Sequence, residues 1–134
     1  MTLVVDASVV VALLVDSGPL GHWADEVVSE GPLFAPHLLP AEVANVLRRS
    51  VSASLVSGEV AALAHAELLD LPIELLPYGP AADRAWELRP NLTTYDAWYV
   101  AIAEVLDAPL ATLDHRLARA SGPTCPFLTP PRGT

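Results

Sequence analysis

Along the chain, short β-branched apolar runs alternate with longer stretches whose apolar residues recur at helical spacing. The first run, Leu3-Val4-Val5, is apolar throughout, suits a strand buried on both faces, and ends abruptly at Asp6. Val9, Val10, Leu13 and Leu14 then follow at helical intervals until Asp16-Ser17-Gly18-Pro19 interrupts them. A second helix is predicted over 22–29 with Trp23 and Val27 inward, and Leu33 to Ala35 is a second strand closed by Pro36. From Leu38 a long helix begins with Pro40 in its first turn, where no amide proton is needed, and Leu39, Val43, Val46 and Leu47 form its buried stripe. Ser57 caps a further helix reaching Leu69, and Ile73 to Leu76 is a third strand between prolines.

A helix over 80–88 holds Trp86, and Thr93 or Thr94 caps another that extends to Leu106. That last helix is apolar nearly all round, from Tyr95 to Val105, which predicts burial. Leu110 to Thr112 is a fourth strand, a short helix covers 115–120, and Phe127-Leu128 is a weak edge strand. Strands alternating with helices predict an α/β fold with three layers, a mostly parallel four- to five-stranded central sheet flanked by helices. With no repeat and no linker, one domain is expected across residues 1–134, about 130–134 forming a frayed tail.

Composition narrows the possibilities. Apolar residues make up 52% of the 134 and charged residues 17%, enough for a packed core and too apolar for disorder. The formal charge of −9 argues against broad attraction to nucleic acid, so any such contact has to be local. All seven basic residues are arginines, which excludes chemistry that needs a lysine. The single cysteine, Cys125, has no internal disulfide partner and fits a reducing cytoplasm. The apolar stretch over 3–15 has no basic leader, contains Asp6 and is too short to span a bilayer, so a soluble cytoplasmic protein with no membrane contact is expected.

Four acids then stand out by position. Asp6 and Asp114 follow the first and fourth strands, and Glu42 and Asp96 lie in the first turns of helices. Each has an ordinary structural explanation: Asp6 and Asp114 as helix N-caps, Glu42 as a complement to a helix dipole, Asp96 as half of a capping box with Thr93. Right-handed crossovers, however, bring such positions to one edge of a parallel sheet. Two unit charges about 4 Å apart repel by about 4 kcal/mol at an effective dielectric near 20, so a row of carboxylates calls for protonation or a cation. An oxygen-only donor set points to a hard ion, Mg²⁺ or Mn²⁺, and acidic clefts holding such ions hydrolyse phosphodiesters.

The residues around these acids carry a resemblance. Val4-Val5-Asp6-Ala7-Ser8, the glutamate of Pro40-Ala41-Glu42-Val43, Thr94-Tyr95-Asp96-Ala97 and Ala111-Thr112-Leu113-Asp114, in that order, resemble PIN-domain ribonucleases. More narrowly, the chain is similar to the VapC toxins of type II toxin–antitoxin systems. The resemblance implies a metal-dependent endoribonuclease in which Asp6, Glu42, Asp96 and Asp114 hold one or two Mg²⁺ or Mn²⁺ ions and position or deprotonate the attacking water. It implies that Thr112 orients a metal ligand or its water and that Ser8 does so beside Asp6, where a plain first-turn role is the alternative. It also implies an RNA substrate, a cognate VapB-like antitoxin and a homodimer.

Other polar residues are weighed from spacing alone. Asn45 and Arg49 share the helical face of Glu42 and could address a phosphate, or could simply be solvated. Arg116 and Arg119 could bind RNA phosphates at the cleft rim. His115 reads as a surface histidine, and Glu104 as a helix-surface acid or an outer supporter of the site. Two divalent ions would change −9 to −5 (−9 + 4), so attraction to RNA remains local and favours a folded target over any strand.

Rival readings are limited. A receiver domain needs a lysine, a haloacid-dehalogenase-like phosphatase needs an acid where Ser8 stands, and a nucleotide cofactor would call for a Gly-x-Gly-x-x-Gly that is missing after the first strand. The remaining alternative is a PIN-like module that binds RNA or protein without cutting.

Overall fold

The computed structural model describes residues 1–132. Its centre is a sheet of five strands, β1 (Leu3–Val5), β2 (Leu33–Pro36), β3 (Ile73–Leu76), β4 (Leu110–Ala111) and β5 (Phe127–Leu128), in the order β3-β2-β1-β4-β5. All four pairings are parallel, with Val4 opposite Phe34 on one side and Leu110 on the other. β1 is central, and Leu3, Val4 and Val5 are fully buried, which is why that run tolerates no polar residue.

Among the described residues seven helices flank the sheet: α1 (Ala7–Val15), α2 (Pro19–Val28), α3 (Leu39–Ser52), α4 (Gly58–Asp70), α5 (Ala82–Glu87), α6 (Thr94–Val105) and α7 (His115–Ala118), with a 3-10 turn at Gly79–Ala81 before α5. α6 lies over β1, β2 and β4 with α5 beside it, while α1 to α4 form a second packed group. No single helix among the described residues is long and apolar enough to cross a membrane.

Several expectations need correction. The second helix begins at Pro19, not His22: the Gly18-Pro19 pair is not only a stop, because proline at the first helical position costs no hydrogen bond. Gly21 makes this possible, since a Cβ there would lie 1.8 Å from the Asp16 carbonyl oxygen where α2 turns back across the end of α1. α6 is less buried than its composition implies. Its middle is enclosed, but Tyr95 is 60% exposed and Val105 68%, because both ends run past the sheet. Trp86 has no core role: it is exposed, with the Arg89 guanidinium over its ring. In the expected tail, Pro130 is buried and 131–132 are exposed, whereas Gly133 and Thr134 lie outside the described residues.

Candidate active site

The topology explains why four acids share an edge. Asp6 leaves β1 at its carboxyl end, and its amide donates to the Ala111 carbonyl, extending the ladder one residue beyond the strand. α3 follows β2, so its first turn, with Glu42, starts at that same edge. α6 leads into β4, which is parallel to the other strands, so the helix runs back against them and its N-terminus also arrives there. Asp114 ends the segment after β4.

Two of the bland readings hold as local structure. Asp6 is the N-cap of α1, accepting from the Val9 amide at 3.2 Å, and Asp114 is the N-cap of α7, accepting from the amides of Arg116 and Leu117. Thr93 caps α6 by accepting from the Asp96 amide. Capping does not exhaust these carboxylates. The Ser8 hydroxyl donates to Asp6 Oδ1 and accepts from the Leu113 amide, and the Thr112 hydroxyl donates to Asp6 Oδ2 and accepts from the Asp114 amide. Two hydroxyls thus tie the end of β1 to the end of β4 and fix the plane of the Asp6 carboxylate. Asp114 Oδ2 makes no hydrogen bond among the described residues.

Glu42 is held by a residue that spacing alone did not single out. The Tyr99 hydroxyl donates to Glu42 Oε1 at 2.6 Å, leaving Oε2 without a partner among the described residues. Tyr99 is 2% exposed and lies three residues after Asp96, on the same helical face. That i, i+3 relation was the available signal. Read simply as one of many apolar residues in α6, Tyr99 hides its polar tip.

The electrostatics follow the geometry. Burial pushes the Asp6 carboxyl up to about 6, against hydrogen bonds from Ser8, Thr112 and the Val9 amide, with Asp96 adding repulsion. Burial also raises Glu42, opposed by the Tyr99 hydroxyl and reinforced by Asp96. Asp96 is raised by burial and by Asp114, with Arg116 partly offsetting both. Burial and the neighbouring carboxylates push the Tyr99 phenol far up, so it stays protonated and donates to Glu42. Asp96 is therefore the common neighbour of the row, although Asp6 occupies the central strand.

The expectation of four crowded carboxylates is too strong. Among the described residues no three His, Cys, Asp or Glu side chains stand close enough together to form a metal coordination sphere. The acids are a spaced row along the sheet edge, coupled through Asp96, rather than a closed cage.

Two recesses flank that row. One, of about 550 Å³, is lined by Asp96, Asp114, Thr93 and Asn91 with Arg116 and Arg119 at its rim. The other, of about 240 Å³, is lined by Leu38, Ala41, Glu42, Asn45 and Tyr95. Arg116, Arg119 and Asn45 thus border the acids. Arg49 does not join them: it sits exposed in the last turn of α3 and makes no ion pair among the described residues. Glu104 is no supporter of the site. It lies at the far end of α6, bound by Arg84 at 2.6 Å and by the Thr124 amide at 2.8 Å.

Comparison with known proteins agrees with this architecture. The PIN domain family model matches residues 3–123. Ribonuclease VapC1 of Mycobacterium tuberculosis is 43% identical over 123 residues, covering 91% of this chain and 92% of that protein. Among solved structures, PAE2754 from Pyrobaculum aerophilum superposes with a TM-score of 0.70 at 25% identity, over 95% of this chain and 83% of that one. VapBC2 from Rickettsia felis, bound to a DNA fragment from their promoter, superposes with a TM-score of 0.68 at 12% identity, over 96% and 98% of the two chains, a likeness of fold. By family match and by identity, the chain belongs to the PIN-domain family and, within it, to the VapC group.

Proposed function

We propose that this chain is an endoribonuclease of the VapC toxin type, one domain that hydrolyses phosphodiester bonds in RNA with Asp6, Glu42, Asp96 and Asp114 as its catalytic carboxylates. The observation that carries the reading is the row of four acids on one sheet edge, three of them held above their ordinary pKa by burial and mutual repulsion. Such a row is costly to keep unless it serves a cation or a proton.

The donor set fits Mg²⁺ or Mn²⁺, since it is all oxygen and three of the acids, Glu42, Asp96 and Asp114, present an uncommitted carboxylate oxygen among the described residues. One or two such ions would be held by these four residues and would supply a polarised phosphoryl oxygen and a water of lowered pKa. The remaining work belongs to the chain. Ser8 and Thr112 orient Asp6, Tyr99 orients Glu42, and the raised carboxyls favour accepting a proton from the attacking water. Arg116 and Arg119 pair with RNA phosphates at the rim, and Asn45 supplies an amide on the other side.

The VapBC assembly among the structural neighbours supports a VapB-like antitoxin as partner. An arginine or lysine from such a partner would neutralise the acid row and block it. A homodimer and a cytoplasmic setting complete the reading. A second reading, an RNA- or protein-binding module that does not cut, is favoured by the spacing of the acids, which falls short of a preassembled metal cage. Incubating the protein with total RNA, with and without Mg²⁺ or Mn²⁺, separates the two. Metal-dependent cleavage that disappears in Asp96→Asn is expected, and RNA retention without cleavage would establish the binding module.

A further inference from the structure

We propose that the recess on the Glu42 side of the acid row is a subsite for an unpaired nucleobase of the RNA, stacked on Tyr95. This rests on the RNA-hydrolysis reading above and names how the strand is gripped. A strand whose scissile phosphate lies at the acids must place its neighbouring nucleotides in the two flanking recesses. Those recesses differ in chemistry. The larger carries Arg116 and Arg119 and suits phosphate. Among the described residues no cation lines the smaller, the nearby Arg48 guanidinium being engaged by Asn45, and the Glu42 carboxylate does line it, so phosphate is disfavoured there and a neutral, flat group is favoured.

Tyr95 supplies the face for such a group. It is 60% exposed and, among the described residues, is the one exposed large apolar residue that borders either recess. The other rings nearby or at the surface are occupied: Trp86 by the Arg89 guanidinium 4.3 Å from its centroid, Tyr78 and Trp98 by each other, and Tyr99 by Glu42. Tyr95 has no ring, guanidinium or hydrogen-bond partner among the described residues. Its place in the first turn of α6, beyond the sheet edge, removes any core role for the ring. Asn45 completes the recess with a defined polarity. Its carbonyl oxygen accepts from Arg48 Nε at 3.0 Å, which leaves its amide hydrogens for a ring nitrogen or carbonyl on a base edge. Within a helix a base has its faces covered by stacking and its Watson–Crick edge engaged by pairing, so the occupant is single-stranded, in a loop, bulge or end.

The test uses fluorescently labelled single-stranded octamers of adenylate and uridylate and an octamer of abasic ribose phosphate, with binding followed by anisotropy. Hydrolysis is stopped by the Asp96→Asn substitution in every sample. Adding Tyr95→Ala should weaken binding of the base-bearing octamers about tenfold, the value of one lost stacking contact, and leave the abasic octamer unchanged. Tyr95→Phe should bind like the parent. Equal binding of the adenylate and uridylate octamers with and without Tyr95→Ala would overturn the subsite, as would an equal loss for the abasic octamer. A parent protein that binds total cellular RNA but none of the three octamers would overturn the subsite alone, and one that binds neither would bring down the RNA-hydrolysis reading with it.

Discussion

The two ends of α6 carry one acid each on roughly the same helical face, and their surroundings treat them in opposite ways. Glu104, near the C-terminal end, is bound by the Arg84 guanidinium and the Thr124 amide, and these hold its carboxyl below the usual range despite burial. Asp96, in the first turn, is raised by burial and by Asp114, and the exposed Arg116 and the Thr93 hydroxyl offset this only in part. Glu104 is a finished structural joint, its charge spent within the fold. Asp96 and its neighbours keep theirs uncompensated, and uncompensated charge at a sheet edge is what a cation or a reacting phosphate can use.

The largest expected effect breaks that contrast directly. Asp96→Asn should lower RNA cleavage by at least about 100-fold, the upper end of what even supporting residues of metal sites cost. Glu104→Gln should leave cleavage within about twofold and cost about 1–2 kcal/mol of stability in denaturant titration, because one partner of a charged hydrogen bond is weakened. Comparable activity losses for the two would erase the distinction.

Tyr99→Phe sharpens it next. The variant keeps the ring in place and frees Glu42, so cleavage should fall about tenfold and half-saturation should need more Mg²⁺. An unchanged metal dependence with a lower melting temperature would reduce Tyr99 to packing.

Asp6 tests the energetic side. Its folded pKa of about 6 lies above the ordinary 3.8, so the folded state binds the proton more tightly than the unfolded state. Stability should therefore fall as pH rises from about 4 to about 6 and level off above, by at most about 3 kcal/mol. Asp6→Asn removes that buried charge and should flatten the slope, with a gain of about 1 kcal/mol at pH 7.5 after the rearranged Thr112 hydrogen bond is counted. A slope unchanged in the variant would place the titration elsewhere. Smallest of all, Mg²⁺ should raise the melting temperature of the parent by a few degrees and that of Asp96→Asn not at all, since ligands that bind only the folded state stabilise it.

What the sequence discloses divides along the same line. β1, β3 and the acids at strand ends are legible because their causes are local: β-branched runs, prolines and capping residues within a few positions. The order Asp6, Glu42, Asp96, Asp114 is legible because parallel topology forces helix starts to one edge. The Tyr99–Glu42 bond, spanning 57 residues, and the Arg84–Glu104 joint, spanning 20, are not, since their cause is the packing of α6 against other elements. Apolarity likewise misjudged α6, because a count of apolar residues does not reveal that Tyr95 lies beyond the sheet. The spacing of the acids is set by backbone positions, and sequence order carries no measure of it.

The hydroxyl bridges between the ends of β1 and β4 have a consequence for how the protein is made. Asp6 and Thr112 are 106 residues apart, and Ser8 and Leu113 are 105. The centre of the sheet therefore lacks one neighbour until β4 has been synthesised, and closing so long a loop comes late in folding. A chain still on the ribosome with its first three strands emerged holds Asp6 without Thr112 to orient it, and Asp114 does not yet exist. Cutting capacity would switch on only once β4 and Asp114 have been made and docked beside β1.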